Sequence, residues 1–368
     1  MATLQTKSRD TSSWPTKYWH LLEDGRVQCD VCPRACKLQE GQRGLCFVRA
    51  CEGQQIVSKT YGRSSGFCVD PIEKKPLNHF YPGSSILSFG TAGCNLSCQF
   101  CQNWDISKSR EMDTLQDEAS PEKIAQSAKE LGCRSVAFTY NDPVVFMEYA
   151  MDVAQACREQ GIKSVAVTAG YMCAEPRKEF YQYIDAANVD LKGFTSRFYR
   201  ELTKGDLQPV LDTLVYLKKE TGVWLEVTTL LIPGENDSEE ELEEMTQWFY
   251  ENLGPEVPLH VSAFHPDYKM RDKIHTPQTS LSKAREIAQK NGLFYVYTGN
   301  VQDEEGQSTY CSQCHTKLIG RNGYQLTSWN LDPQGKCQNC GTRCAGFFDR
   351  APENWGARRK RVLLYEAG

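Results

Sequence analysis

Long apolar runs are absent from this chain. No stretch approaches the ~20 residues that a membrane-spanning helix needs, and the polar opening segment, residues 1–17, has no apolar core of a secretory leader. An excess of one charge is also absent: 42 Lys and Arg stand against 47 Asp and Glu, a formal charge of −5. That balance supplies no global attraction to nucleic acid or to an anionic membrane surface. The one basic run, Arg358-Arg359-Lys360-Arg361, reads as a solvated tail. Wholesale disorder is excluded, because 40% of the 368 residues are hydrophobic, enough for a sizeable core. The expectation is a soluble, cytoplasmic protein without a membrane partner.

Cysteine, by contrast, is abundant. The total of 17 is odd, and with no sign of secretion a disulfide framework is not expected. Eleven of the 17 fall into three tight groups: Cys29, Cys32, Cys36 and Cys46; then Cys94, Cys98 and Cys101; then Cys311, Cys314, Cys337 and Cys340. Close thiol pairs chelate metal readily, so the chain reads as a metalloprotein. The other six (Cys51, Cys68, Cys133, Cys157, Cys173, Cys344) read as small buried apolar residues.

Between residues 84 and 303 short β-branched runs alternate with helical patterns, the mark of repeated βα units and a parallel sheet. Strands are predicted at 86–89, 135–140, 164–168, 188–191, 224–232, 259–263 and 293–297. Helix starts are signalled by Ser120-Pro121, Asp142-Pro143 and Asp237-Ser238, and helix ends by Gly132 and Gly161. Further helices are expected over 206–222 and 282–292. Right-handed crossovers would make these units an α/β fold, a partial (β/α) barrel with its chemistry at the C-terminal strand ends. A cysteine-rich cap (1–83) precedes the barrel, and a four-cysteine module with its tail (304–368) follows it.

The central group, Cys94-x3-Cys98-x2-Cys101, lies just after the first barrel strand. Three thiols on one loop can hold three corners of a [4Fe–4S] cluster and leave one iron open; a zinc site short of a ligand is the alternative. Two C-x2-C pairs, Cys311/Cys314 and Cys337/Cys340, read as tetrahedral four-thiolate zinc, with rubredoxin-type iron the other choice. The N-terminal four (Cys29, Cys32, Cys36, Cys46) suit a second metal, either zinc or an auxiliary [4Fe–4S] cluster.

With Phe100 before its last cysteine, the central motif resembles that of the radical S-adenosylmethionine (SAM) superfamily, and Gln102-Asn103 is similar to the segment in activating enzymes of pyruvate formate-lyase type. Other segments follow in the same order: Thr139-Tyr140-Asn141-Asp142-Pro143, Thr168-Ala169-Gly170, Asp190-Leu191-Lys192, Ile232-Pro233-Gly234 and Phe264-His265. Over its whole length, through segments such as residues 70–80, 138–143, 187–193 and 264–268, the chain resembles the radical SAM proteins of the AmmeMemoRadiSam system. That resemblance implies an oxidoreductase in which a [4Fe–4S] cluster on Cys94, Cys98 and Cys101 reductively cleaves SAM, and a 5′-deoxyadenosyl radical then takes hydrogen from a protein or small molecule. It implies SAM contacts near Asn141, Asp142, Thr168, Asp190, Lys192 and His265, and a one-electron donor such as flavodoxin or ferredoxin. Val167 and Ala169 depart from the acidic and amide residues that build a monovalent cation site in the lyase activators. The residues also admit two non-enzymatic readings: a metal-binding scaffold or redox sensor, and a zinc-knuckle nucleic-acid binder, which the acidic balance disfavours.

Overall fold

The computed structural model describes residues 13–108, 115 and 117–364. The opening 12 residues of the expected cap and the last four of the expected C-terminal module lie outside the described residues.

A nine-stranded sheet organises the molecule. In chain order its strands are β1 (Phe67–Pro71), β2 (Ser85–Phe89), β3 (Ser135–Phe138), β4 (Lys163–Thr168), β5 (Ala186–Asp190), β6 (Trp224–Leu231), β7 (Leu259–Ala263), β8 (Val296–Gly299) and β9 (Lys360–Val362). From β2 to β8 every neighbour is parallel and follows chain order. The first and last strands of the chain order are antiparallel additions: β1 pairs with β2, and β9 pairs with β1. The sheet thus stays open, a partial barrel, and draws one strand from each flank.

Helices fill the crossovers: α1 (Pro121–Glu130), α2 (Met147–Glu159), α3 (Ala174–Phe180), α4 (Gln208–Glu220), α5 (Glu239–Leu253) and α6 (Gln278–Lys290). Their starts follow the side-chain acceptors. Ser120 Oγ accepts the Lys123 amide of α1 at 3.2 Å, and Ser238 Oγ accepts the Glu241 amide of α5 at 3.2 Å. Asp142 caps a single 3-10 turn, Pro143–Phe146, which runs into α2. Apolar faces of these helices and the strands between them form one continuous core, with Phe89, Phe138, Phe146, Val189, Val227 and Phe264 fully buried.

Three details depart from the sequence expectations. α6 begins at Gln278, four residues before the expected start, with Pro277 ahead of it. β8 runs over Val296–Gly299 rather than 293–297, because Phe294 and Tyr295 spend their backbone groups on Pro255 and Leu259 before the ladder begins. The basic run is exposed as expected, yet its backbone forms β9 and its Arg359 Nε lies 3.9 Å from Asp70.

All 17 cysteines are free. Of the six outside the groups, five are buried and Cys173 is half-buried. Among the described residues no helix is long and apolar enough to cross a membrane.

Candidate active site

The loop after β2 carries Cys94, Cys98 and Cys101, and the ends of three other strands hold it in place. Asn141, just past β3, accepts the Thr91 amide at 2.9 Å through Oδ1. Its Nδ2 donates to Thr91 Oγ1, Ala92 O and Gly93 O at 3.0–3.1 Å. Asn95 Nδ2 donates to Tyr171 O beyond β4 at 2.7 Å. The amides of Ser97 and Gln99 donate to Thr203 O and Leu202 O, each at 2.9 Å. Lys108 Nζ reaches back to Leu96 O at 2.5 Å. So dense a set of fastenings fixes a loop that has no regular structure of its own.

The three cysteines face one cavity of about 280 Å3 at the C-terminal ends of the parallel strands. Asn141, Asp142, Thr168, Asp190 and Lys192 line the same cavity, so five of the six residues expected to contact cofactor are brought together. His265 does not join them. It is exposed beyond β7, its ring 6.3 Å from that of His275.

All five also make bonds within the protein. The amide of Asn141 is spent on the cysteine loop, as above. Asp142 Oδ1 accepts from the Val144 amide at 3.0 Å and the Thr168 hydroxyl at 2.9 Å, while Oδ2 accepts from the Ala169 amide at 2.9 Å. Burial pushes the Asp142 carboxyl up, and those three donors oppose the shift. Lys192 Nζ pairs with Asp190 at 2.8 Å. Burial alone would lower the Lys192 ammonium, but Asp190 and then Cys98 outweigh it and raise it, so this cation stays charged.

Burial also raises two of the central thiols. Cys94 is pushed to about 12 with Lys108 opposing, and Cys98 is pushed up with Lys192 opposing. The Leu96 amide points at Cys94 Sγ (3.4 Å), and Ser107 Oγ lies 3.0 Å from Cys101 Sγ. Desolvated thiols facing two cations and N–H donors form a donor set suited to a metal–sulfur group, which supplies the charge that makes thiolates stable.

The C-terminal cysteines have a different geometry. Cys311 and Cys340 Sγ lie 3.5 Å apart, Cys314 and Cys337 Sγ 3.6 Å, and all four sulfurs fall within 4.8 Å of one another. Among the described residues this is the only such set. Tetrahedral zinc with its Zn–S bonds would hold sulfurs ~3.8 Å apart. Each pair sits on the same turn: the His315 amide donates to Cys311 O, the Gly341 amide to Cys337 O, and both turn residues have positive φ. The Thr316 and Asn339 side chains and the Thr316 amide beside Cys314 pull its thiol down to about 5, into the thiolate form a metal binds.

This module is tied to the barrel through buried polar groups. Arg321, 1% exposed, donates to Asn78 O at 2.7 Å and Thr309 Oγ1 at 2.8 Å. His79 bridges Ala345 O (2.6 Å) and the Tyr297 hydroxyl (2.5 Å). Glu226 on β6 accepts the amides of Asn78 and His79 and the His260 ring.

Sequence reasoning missed Asn95, Lys108 and Ser107. Lys108 carried a faint signal, a cation seven residues beyond Cys101; Asn95 and Ser107 carried none, since their roles depend on Tyr171 and Cys101 being near in space.

Comparison with known proteins adds a family to this geometry. Residues 89–248 match the model of the Radical SAM superfamily. The chain is 40% identical over 327 residues to the uncharacterized protein MJ0808 of Methanocaldococcus jannaschii, covering 89% of this chain and 97% of that one. It is 23% identical over 193 residues to the pyruvate formate-lyase-activating enzyme of Clostridium pasteurianum, covering 49% of this chain and 80% of that enzyme. Among solved structures it is similar to a radical SAM methyltransferase from Sphaerobacter thermophilus (TM-score 0.48, 13% identity, 78% of this chain and 76% of that chain).

Proposed function

Because this chain belongs to the radical SAM superfamily, we propose that it is an enzyme whose Cys94, Cys98 and Cys101 hold a [4Fe–4S] cluster and whose strand-end cavity binds SAM. One observation carries the reading: three loop thiols and a charged, half-buried lysine face the same cavity at the C-terminal ends of the parallel strands. The donor set fits the group, because three cysteines leave one iron for SAM to occupy. A cluster held by Cys94, Cys98 and Cys101 would supply the electron for reductive cleavage of SAM to methionine and a 5′-deoxyadenosyl radical able to take hydrogen from a substrate.

The chain's own residues bind, orient and exclude. Lys192, kept charged by Asp190, offers a cation to the methionyl carboxylate. Asn141 braces the cysteine loop through Thr91, Ala92 and Gly93. Asp142 ties the β3 end to Thr168 and Ala169 at the β4 end. Both therefore act as positioning residues. Leu96 and Phe100, buried on the loop, screen the cavity from water.

A low-potential flavodoxin or ferredoxin is the proposed electron source, and the C-terminal four cysteines are proposed to hold zinc as a structural ion. The hydrogen donor is a protein or a small molecule; a partner glycyl-radical enzyme is one such target, prompted by the activating enzymes among the relatives. The test is anaerobic incubation with SAM and dithionite. The reconstituted chain is expected to produce methionine and 5′-deoxyadenosine, and folded Cys98→Ala none. Undiminished production by that variant sinks the reading.

A further inference from the structure

Cys29, Cys32, Cys36 and Cys46 surround a second cavity, separate from the one that faces β2–β5. It is small and leaves no room for an organic ligand. Apolar Val31, Val144 and Val145 complete the wall. We propose that these four cysteines hold a second [4Fe–4S] cluster rather than zinc.

Three observations bear on the occupant: the first favours the cubane over zinc, and the other two fit an anionic metal–sulfur group. The first is spacing. A zinc ion gathers its thiolates to ~3.8 Å, as the C-terminal four already are, whereas the N-terminal four line one cavity without closing to within 4.8 Å of one another. A cubane binds at the corners of a cube and needs that wider spread.

The second is charge. Two arginines line the cavity, Arg34 and Arg49. Arg49 is 2% exposed and makes a two-pronged pair with Glu148 at 2.6 and 3.0 Å. Its Nε has no hydrogen-bond partner, and neither has the buried Nη2 of Arg34. Leaving two guanidinium N–H groups unmet inside a protein is costly, and an anionic cluster with sulfide acceptors satisfies both.

The third is the backbone. The amides of Val31, Arg34 and Val48 face the sulfurs of Cys29, Cys32 and Cys46, each two residues on, and the Leu45 amide lies 3.5 Å from Cys36 Sγ. Four sulfurs each met by an N–H are arranged as cluster ligands, whose potential such bonds tune.

The position has a use. A Cβ on Gly93 would stand 1.9 Å from Cys46 O, and Arg34 Nε donates to Asn95 O at 2.8 Å. The cage therefore rests on the residues flanking Cys94, and a second one-electron centre there lies beside the catalytic loop.

The assignment stands on residues apart from the triad, and the experiment separates the two. The full chain is reconstituted anaerobically with ferrous iron and sulfide, and metal and acid-labile sulfide are counted. About eight iron and eight sulfide per chain are expected for two cubanes. The triple variant Cys94→Ala/Cys98→Ala/Cys101→Ala is expected to keep half of each and, reduced with dithionite, a [4Fe–4S] paramagnetic signal. Cys29→Ser/Cys46→Ser is expected to keep the other half and the signal of the central cluster alone, and combining the two sets of substitutions to abolish both signals. A triple variant holding zinc without sulfide, or no metal at all, overturns the assignment while leaving the triad's cluster untouched.

Discussion

His79 is fully buried, and its partners choose its tautomer. Nδ1 must carry the proton it donates to Ala345 O, so Nε2 accepts from the Tyr297 hydroxyl. Burial disfavours the charge that a second proton would bring, and lowers its pKa to about 4. Since the folded value lies below the unfolded 6.5, the unfolded chain binds more protons between those limits. Stability is thus fully present above pH 6.5 and falls as pH drops toward 4, by up to about 3 kcal/mol. Thermal midpoints measured from pH 7 to pH 4 are expected to fall less steeply for His79→Gln than for the parent chain. At this scale the three cysteine groups were legible in the sequence, because each lies close along the chain and each is brought together in space. What Asn141 and Asp142 do was not. Both sit at a strand end as expected, but whether they meet a cofactor or the protein depends on Thr91, Thr168 and Ala169, which only the parallel register brings into reach.

At the scale of elements, turns and loops matter as much as strands. Gly93 has φ +75, and its Cβ position is filled by the carbonyl of Cys46, a backbone atom that cannot swing aside. Gly93→Ala is expected to cost about 2–5 kcal/mol from left-handed strain and overpacking together, and to cut iron uptake by the reconstituted chain. Gly234→Ala supplies the control: the φ is similar at +76, but open space surrounds it, so only the conformational cost of about 1–3 kcal/mol remains. Urea unfolding and iron content read both variants. Equal losses in the two would show that the contact with Cys46 is unimportant. Helices announced by a side-chain acceptor, α1 and α5, were visible in the sequence because the cap is a local interaction. α3 was not foreseen: its Cys173 N-cap makes no side-chain bond, and Pro176 sits in its first turn.

For the whole molecule, the open parallel sheet was legible from seven alternating βα segments, whereas the two antiparallel strands on its flank were not. β1 and β9 come from opposite flanks, and no local pattern reports a pairing across most of the chain. The C-terminal module joins the same body through Arg321, His79 and Glu226. Disrupting its four-cysteine set, the proposed zinc site, is therefore expected to be felt by the barrel. Cys337→Ser should lower the thermal midpoint, by about 2–4 °C for each kcal/mol lost, and release one metal ion per chain, yet leave the paramagnetic signal of the central cluster in place. Loss of that signal would mean that the module shapes the cavity directly. The pairing of β9 with β1 bears on biogenesis. A ribosome delivers β1 early and β9 late, and in between β1 stands with one flank of its amides and carbonyls unmet. The nascent polypeptide thus carries an unsealed border through most of its synthesis, closed only when the last strand arrives.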